Sequence, residues 1–261
     1  MKGIDIEKIK RVATEAAIEA GLYAIGRMNE PREISYKSGA NDLVTDVDKK
    51  CESIIIERIK NNFPSHSILA EESGEHDKDK ECFWVIDPLD GTTNYAHGFP
   101  VFCISIAFMF EGEEKFGVVY DPNRDEFFTA EKGKGAFLNN REIRVSKTKD
   151  VQSSLVATGF AYNVEGKVAN LPYLTKVLQF SQAVRRAGSA AIDLCYVACG
   201  RFDGFWEFKL KPWDTAAAQL IVKEAGGKVT LLDNTPFDIF TEEIDATNGI
   251  IHEEFINKLT C

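Results

Sequence analysis

The segment WVIDPLDGTTN, Trp84 to Asn94, decides how the rest of the chain is read. Phe83 to Ile86 form an apolar run of strand length that ends on Asp87. Pro88 holds the residue before it extended and keeps a helix from starting there. Asp90-Gly91 is a turn former that folds a second carboxylate back beside the first, so that both can grip one cation. Gly91 lets the backbone approach a ligand closely, and the amides of Gly91, Thr92 and Thr93 can point at phosphate oxygens where a helix begins. In isolation DGT is an ordinary polar turn. Here it has company: a second apolar run, Ser67 to Ala70, ends on Glu71-Glu72, and a Trp213-Asp214 pair follows later. Strands that deliver carboxylates from their carboxyl ends build sites at that edge of an open sheet.

Working outward, apolar residues recur three or four apart at Ile6, Ile9, Val12, Ala16, Ala20 and Tyr23, which predicts an amphipathic helix over about 5–28. Thr45-x-x-Asp48 has capping-box form, and Val47, Cys51, Ile54, Ile55 and Ile59 mark the buried stripe of a second helix, closed by Pro64. Residues 101 to 145 read as successive strands with short turns, hence antiparallel pairing. From about 150 strands and helices alternate: SLVATG, a helix at 167–180, AVRRAG, a helix at 189–199, DGFWEF, a helix at 212–225, KVTLLD and a short terminal helix. This change of pattern predicts an N-terminal α+β half at 1–149, with most candidate ligands, and a C-terminal α/β half at 150–261.

The chain has 261 residues, 44% of them hydrophobic, enough for a full core. No apolar stretch approaches the roughly 20 residues that cross a bilayer, and Met1 to Glu7 hold no signal-peptide core, so a soluble cytoplasmic protein without membrane contact is expected. With 41 acidic against 31 basic residues and a net charge of −10, nucleic acid held by bulk charge is disfavoured. A phosphate can still bind if a metal reverses the local field. Cys51, Cys82, Cys103, Cys195, Cys199 and Cys261 show no CxxC spacing and read as free thiols. The four histidines lack zinc spacing, and the KGKG at 132–135 reads as a hairpin turn, not a P-loop. No Ser/His/Asp or Cys/His nucleophile set is legible, which favours attack by metal-activated water.

Three motifs, LAEESG at 69–74, DPLDGTTN at 87–94 and PWDTAAAQLIVKEAGG at 212–227, resemble in order and separation the metal-site motifs of the inositol monophosphatase family. GANDLVTDVD at 39–48 and RRAGSAAIDLCYVACGRFDGFWE at 185–207 extend the resemblance over essentially the whole chain, and its details look most like the bacterial members. DPLDGT alone is shared with related fructose bisphosphatases and nucleotide phosphatases. The resemblance implies an α/β (α+β) fold, a layered αβαβα sandwich of the sugar-phosphatase type, with an antiparallel sheet in the first half. It also implies a phosphoric monoester hydrolase that converts myo-inositol monophosphate to myo-inositol and phosphate, with two or three Mg²⁺ per site, sensitivity to lithium, and a homodimer. The mostly apolar run around Phe102 to Phe110 is the surface expected to form the dimer.

Carried over by residue, the resemblance makes Glu71, Asp87, the backbone carbonyl of Leu89, Asp90 and Asp214 the magnesium ligands. Converging carboxylates repel one another, and a hard divalent cation with oxygen ligands relieves this. Asp214 also stands where a helix cap or first-turn acid belongs, after Pro212-Trp213. Thr92 and Asp48 are implied to form a hydrogen-bonded pair that orients the attacking water, with Glu71 close to it, although capping alone also explains Asp48. Lys37 is either positive charge at the mouth or solvated surface. Gly188-Ser189-Ala190 at a helix start and Glu207 are implied to read the substrate's hydroxyls, with Gly91, Thr92, Thr93 and Asp214 also at the substrate. Arg185 stands open between a substrate contact and an interface contact, and Arg186 reads as structural.

Fructose-1,6-bisphosphatase activity, alone or alongside, is the nearest rival, since one catalytic core serves both. A 3′-phosphonucleotide phosphatase fits less well, because the chain lacks the extra length of that branch. In a different class, a regulatory partner of RNA-processing or transcription machinery is the alternative, with the acidity arguing against direct RNA contact.

Overall fold

Helix α1 (Ile6–Arg27) starts where Asp5 accepts from the Lys8 amide at 3.0 Å, in a computed structural model that describes residues 4–30, 33–36, 43–76, 81–161 and 164–260. Strands β1 (Ile34–Tyr36) and β2 (Leu43–Thr45) form an antiparallel ribbon that leads into α2 (Asp46–Asn62). The expected capping box is present: Thr45 accepts from the Val47 and Asp48 amides, and Asp48 Oδ2 accepts from Thr45 N at 2.9 Å. Lys37 and Cys261 lie outside the described residues.

The first sheet contains β3 (Ser67–Ala70), β4 (Gly74–His76), β5 (Cys82–Asp90), β6 (Cys103–Phe110), β7 (Glu113–Asp121), β8 (Glu126–Glu131), β9 (Ala136–Leu138) and β10 (Arg141–Ile143). A short helix, α3 (Thr92–Ala96), separates β5 from β6. The strand order is β10-β9-β8-β7-β6-β5-β3-β4, with β3 parallel to β5 and the other named pairs antiparallel. The second half supplies β11 (Leu155–Thr158), α4 (Val164–Phe180), β12 (Ala183–Arg185), α5 (Ala190–Ala198), β13 (Gly204–Phe208), α6 (Pro212–Glu224), β14 (Lys228–Thr230), β15 (Glu243–Thr247) and α7 (His252–Thr260). Its sheet is ordered β12-β11-β13-β15-β14.

Period-two alternation in β5 assigns the layers. Trp84 and Ile86 pack with α1 and α2, through Ile9, Ala16, Cys51 and Ile55. Phe83 and Val85 face the opposite way, into a core shared with α5, α6 and the inner face of the small sheet, including Phe205 and Ala246. On the small sheet's outer face, Trp206 and Val156 pack with Val177 of α4 and Phe255 of α7. Each fully buried Ile or Phe contributes about 1.5–3 kcal/mol of burial, so every layer holds the next. The order is therefore helix, sheet, helix, sheet, helix, the layered fold that the resemblance implies.

The structure differs from expectation in three places. Strand β5 does not stop at Asp87 but runs through Pro88 to Asp90. Strand β15 was not foreseen, because its alternation carries a fully buried acid, Asp245, where a sheet strand normally shows an apolar residue. The run Phe102 to Phe110 is not available for a dimer, since β6 lies between β5 and β7 with Phe102, Ile104, Ile106 and Phe108 fully buried on one face. An apolar central strand is read from sequence as an apolar surface until both of its faces are seen to be covered.

Candidate active site

Because β3 and β5 are parallel, with Ala70 opposite Ile86 as their last pair, Glu71 and Asp87 follow that pair side by side. The Glu71 amide donates to Ile86 O at 3.2 Å and ties the two exits together. Positions three apart on a regular strand face opposite ways, yet Asp87 and Asp90 border one cavity. The cause is a shift of register against β6 between these two residues. Asp87 Oδ1 accepts from Leu89 N at 2.9 Å, which shapes the irregular stretch. Gly91 follows at φ 104°, where a Cβ would lie 2.8 Å from Val101 O, so no other residue fits without displacing backbone. Gly91, Thr92 and Thr93 then open α3, whose first-turn amides have no carbonyl within the helix.

Asp90 joins the two halves. Its Oδ2 accepts from Ser189 Oγ and from Ala191 N, both at 2.7 Å. Ser189 caps α5, so the acid sits on the positive end of that helix. Burial nevertheless prevails and leaves the Asp90 carboxyl above its ordinary range. Asp214 caps a helix and stands at the acidic cavity at once. Its Oδ2 accepts from Lys211 N at 2.6 Å as a cap of α6, while the same side chain borders the acidic cavity.

That cavity, about 200 Å³, is bounded by Glu71, Asp87, Leu89, Asp90, Thr92 and Asp214. Burial, then the charges of Glu71, Asp90 and Asp214, holds the Asp87 carboxyl well above the usual carboxylate range. Burial, then Asp90 and Glu71, does the same to Asp214. Carboxylates held this close repel one another unless a proton or a cation stands between them. Among the described residues, no group of three or more His, Cys, Asp or Glu side chains is drawn together tightly enough to hold a metal ion as it stands. The acids rim the cleft without closing on one point. Their chemistry still fits magnesium: oxygen donors only, a nearby carbonyl at Leu89, and mutual repulsion that a hard divalent cation removes.

Thr92 Oγ1 stands 2.8 Å from Asp48 Oδ1 and 3.1 Å from Leu89 O. One hydroxyl proton cannot serve both fully, and the shorter, charged acceptor takes it. Asp48 is fully buried and divides its oxygens, with Oδ2 in the α2 cap and Oδ1 on Thr92. Capping and pairing are thus compatible.

Through Asp90 and Asp214 the acidic cavity adjoins a larger one of about 350 Å³, bordered by Gly188, Ser189, Ala190 and Glu207. Burial, then Asp193, raises the Glu207 carboxyl well above its usual range, and Arg186 draws it partly back. Arg186, read from sequence as structural, borders this cavity, whereas Arg185 is exposed and donates to Val184 O at 3.1 Å. In an Arg-Arg pair on a strand end, adjacent side chains point to opposite sides, and only the tertiary structure says which side holds the cavity. Sequence reasoning also missed Asn94, whose Nδ2 lies within 2.8–3.2 Å of the carbonyls of Val101, Ala187 and Gly188 and thereby joins the two loops. Its place at the end of DGTTN was the available signal. Lys209 and Lys211, which border both cavities and pair with Glu242, and Asp193, buried in the wall of the larger one, carried none.

Paired carboxylates at converging strand ends, a helix start beside them and a larger polar cavity next door are the site of a phosphoric monoester hydrolase on a layered α/β fold. A family model described as the inositol monophosphatase family matches residues 5–261. The chain belongs to that family. It is 47% identical over 259 residues to an inositol-1-monophosphatase of Synechocystis sp., covering 98% of this chain and 90% of that one. It is 46% identical over 222 residues to a protein of Vibrio cholerae named Nus factor SuhB, covering 84% and 83%. The solved inositol monophosphatase of Anabaena (Nostoc) sp. PCC 7120 superposes with a TM-score of 0.88 at 44% identity, over 98% of this chain and 96% of that one. A more distant structure, described as an IMPase/NADP phosphatase complexed with Mg²⁺ and phosphate, superposes with a TM-score of 0.87 at 25% identity, over 99% and 97%.

Proposed function

We propose that this enzyme hydrolyses the phosphate monoester of a small polyol, myo-inositol monophosphate first among them, in a magnesium-dependent reaction. The observation that carries this reading is the junction at Asp90 and Asp214, where a cavity of repelling carboxylates meets a cavity with hydroxyl-accepting walls. Bound among Glu71, Asp87, Asp90, Asp214 and the Leu89 carbonyl, magnesium would neutralise phosphate charge and make a water more acidic. The protein's own groups do the rest. Thr92, with its proton committed to Asp48, keeps lone pairs to receive a proton of the attacking water and so aims it, with Glu71 beside it. The amides of Gly91, Thr92 and Thr93 receive phosphate oxygens at the start of α3. Ser189 and the first turn of α5 hold Asp90 while Gly188, Ala190 and Glu207 face the alcohol, with Arg186 taking the place at the cavity foreseen for Arg185. By the same family likeness, lithium should compete for a magnesium position, and the protein should act as a cytoplasmic homodimer. No described helix is long and apolar enough to cross a membrane.

The deciding experiment is a substrate panel with and without Mg²⁺: inositol 1-phosphate, fructose 1,6-bisphosphate, 3′-phosphoadenosine 5′-phosphate and p-nitrophenyl phosphate. The reading expects the highest kcat/KM for inositol 1-phosphate. A preference for fructose 1,6-bisphosphate would move the assignment to the rival sugar phosphatase. A second reading, a partner of transcription machinery, draws support from the relative named Nus factor SuhB. It predicts that purified RNA polymerase or a Nus factor co-elutes with the protein even when Asp90→Asn has removed turnover.

A further inference from the structure

Glu207 lies in the larger cavity with its carboxylate pressed against the backbone of Gly159: a Cβ built on Gly159 would fall 2.1 Å from Glu207 Oε2 and 2.2 Å from its Cδ. No side chain fits at 159 while Glu207 keeps this place. Gly159 follows the last residue of β11, a point where the chain leaves the sheet, so its carbonyl needs a donor from elsewhere. Asn170, in the middle of α4 and 1% exposed, provides one: its Nδ2 donates to Gly159 O at 2.7 Å and to Thr158 Oγ1 at 2.9 Å. Its Oδ1 accepts from Trp206 Nε1 at 2.8 Å, and Thr158 Oγ1 in turn donates to Trp206 O at 2.7 Å. Every polar group of the Asn170 side chain is thus used. The ring of bonds ties the residue before Gly159 and the residue before Glu207 to one helix, with Thr158 and Trp206 opposite each other in the sheet.

We infer that Asn170 and Gly159 together form the seat that positions Glu207, and so set how strictly this enzyme reads the hydroxyls of its substrate. Neither residue borders the smaller cavity, and Asn170 borders neither cavity. They are positioning residues, acting through Glu207. Substitution of Asn170 by Asp would set a carboxylate oxygen against the Gly159 carbonyl and push the 158–160 segment away. Replacing Gly159 by Ala would drive the Glu207 carboxylate from its seat directly. This inference rests on the role proposed above for Glu207 and predicts what controls it.

The test is a double-mutant cycle on the ratio of kcat/KM for inositol 1-phosphate to kcat/KM for p-nitrophenyl phosphate, which has no hydroxyls to read, with thermal unfolding measured alongside. Gly159→Ala and, separately, Asn170→Ser should each lower that ratio by about 10-fold or more, the scale of a lost charged hydrogen bond. In a Glu207→Ala background the same changes should alter the ratio less than about 2-fold, because the group they position is gone. Asn170→Ser leaves a small cavity and Gly159→Ala crowds Glu207, so both should lower the Tm, and Gly159→Ala in the Glu207→Ala background, where no carboxylate meets the new Cβ, separates the loss of positioning from the loss of stability. Equal losses on both substrates, or a fall in the ratio that persists undiminished with Glu207→Ala, overturns the inference. If Glu207→Ala itself leaves the ratio unchanged, the recognition role and its seat fall together, while turnover of p-nitrophenyl phosphate leaves the phosphatase reading standing.

Discussion

The Thr92 hydroxyl donates to Asp48 Oδ1 at 2.8 Å, joining two positions 44 apart in the chain, while the other oxygen of Asp48 closes the cap of α2. The carboxylate that starts a helix thereby also fixes the hydroxyl that faces the acidic cleft. Thr45→Ala and Thr92→Ala should separate the two functions. Thr45→Ala removes a cap and should cost about 1 kcal/mol of stability, read as a lower urea midpoint, with kcat changed far less. Thr92→Ala should lower kcat by about 100-fold or more with stability nearly intact, as expected for a lost orienting group. If Thr92→Ala leaves kcat within a few-fold, the pair has no part in the chemistry.

Asp90→Asn tests the acid cluster. It keeps an oxygen for Ser189 and Ala191 but removes one of several repelling charges. Without metal its Tm should not fall. Turnover of inositol 1-phosphate and of p-nitrophenyl phosphate should both be lost at Mg²⁺ concentrations that saturate the wild type, and a variant that keeps either activity would take Asp90 out of the metal site. Activity that survives exhaustive chelation in the wild type would remove magnesium from the mechanism.

Association should use α4. Val168, Leu171 and Leu178 are half exposed or more, and their spacing of three and seven sets them on one helical face. Leu171→Glu with Leu178→Glu should convert a particle of twice 29.1 kDa, by light scattering, to the monomer. A wild-type mass of 29.1 kDa, or a double variant that stays dimeric, would rule this surface out.

The His252 ring lies buried between Thr230 and Thr247, with contacts of 3.0 and 2.9 Å. Burial, and then Lys228, lowers its pKa to about 4. The unfolded chain, with an ordinary value near 6.5, then binds more protons than the native one between about pH 6.5 and pH 4, so this group withdraws stability as pH falls through that window. The loss amounts to about 3 kcal/mol at most. Asp245, 3.8 Å away and raised well above its usual range by burial, acts with opposite sign, since the native state keeps its proton longer. The difference between wild type and His252→Gln in urea unfolding at pH 7 and pH 5 isolates the histidine. The wild type should lose more stability than the variant on going to pH 5, and equal losses would reject the assignment.

The chemistry of the acidic cleft was legible in the sequence because local rules govern it. An apolar run brings Asp87 to a strand end, Gly91 alone tolerates the turn that follows, and Thr45 with Asp48 is a cap wherever it occurs. Apart from the Thr92–Asp48 pair that the resemblance implied, pairings across the fold were not legible. Which of Arg185 and Arg186 faces the cavity depends on a strand's orientation against a wall built from α5 and β13, and no local propensity records that. Strand β15 was hidden because the burial of Asp245 is a tertiary fact, and β6 was mistaken for a surface because its covering layers come from the two ends of the chain. The sequence by itself determined that carboxylates end two apolar runs and that a glycine turn and a helix start follow the second, since residue type and short spacing carry those features. Only the tertiary structure decided which other distant groups hold them, Ser189 for Asp90 and Asn170 through Gly159 for Glu207, each a contact that folding makes between positions the chain keeps far apart.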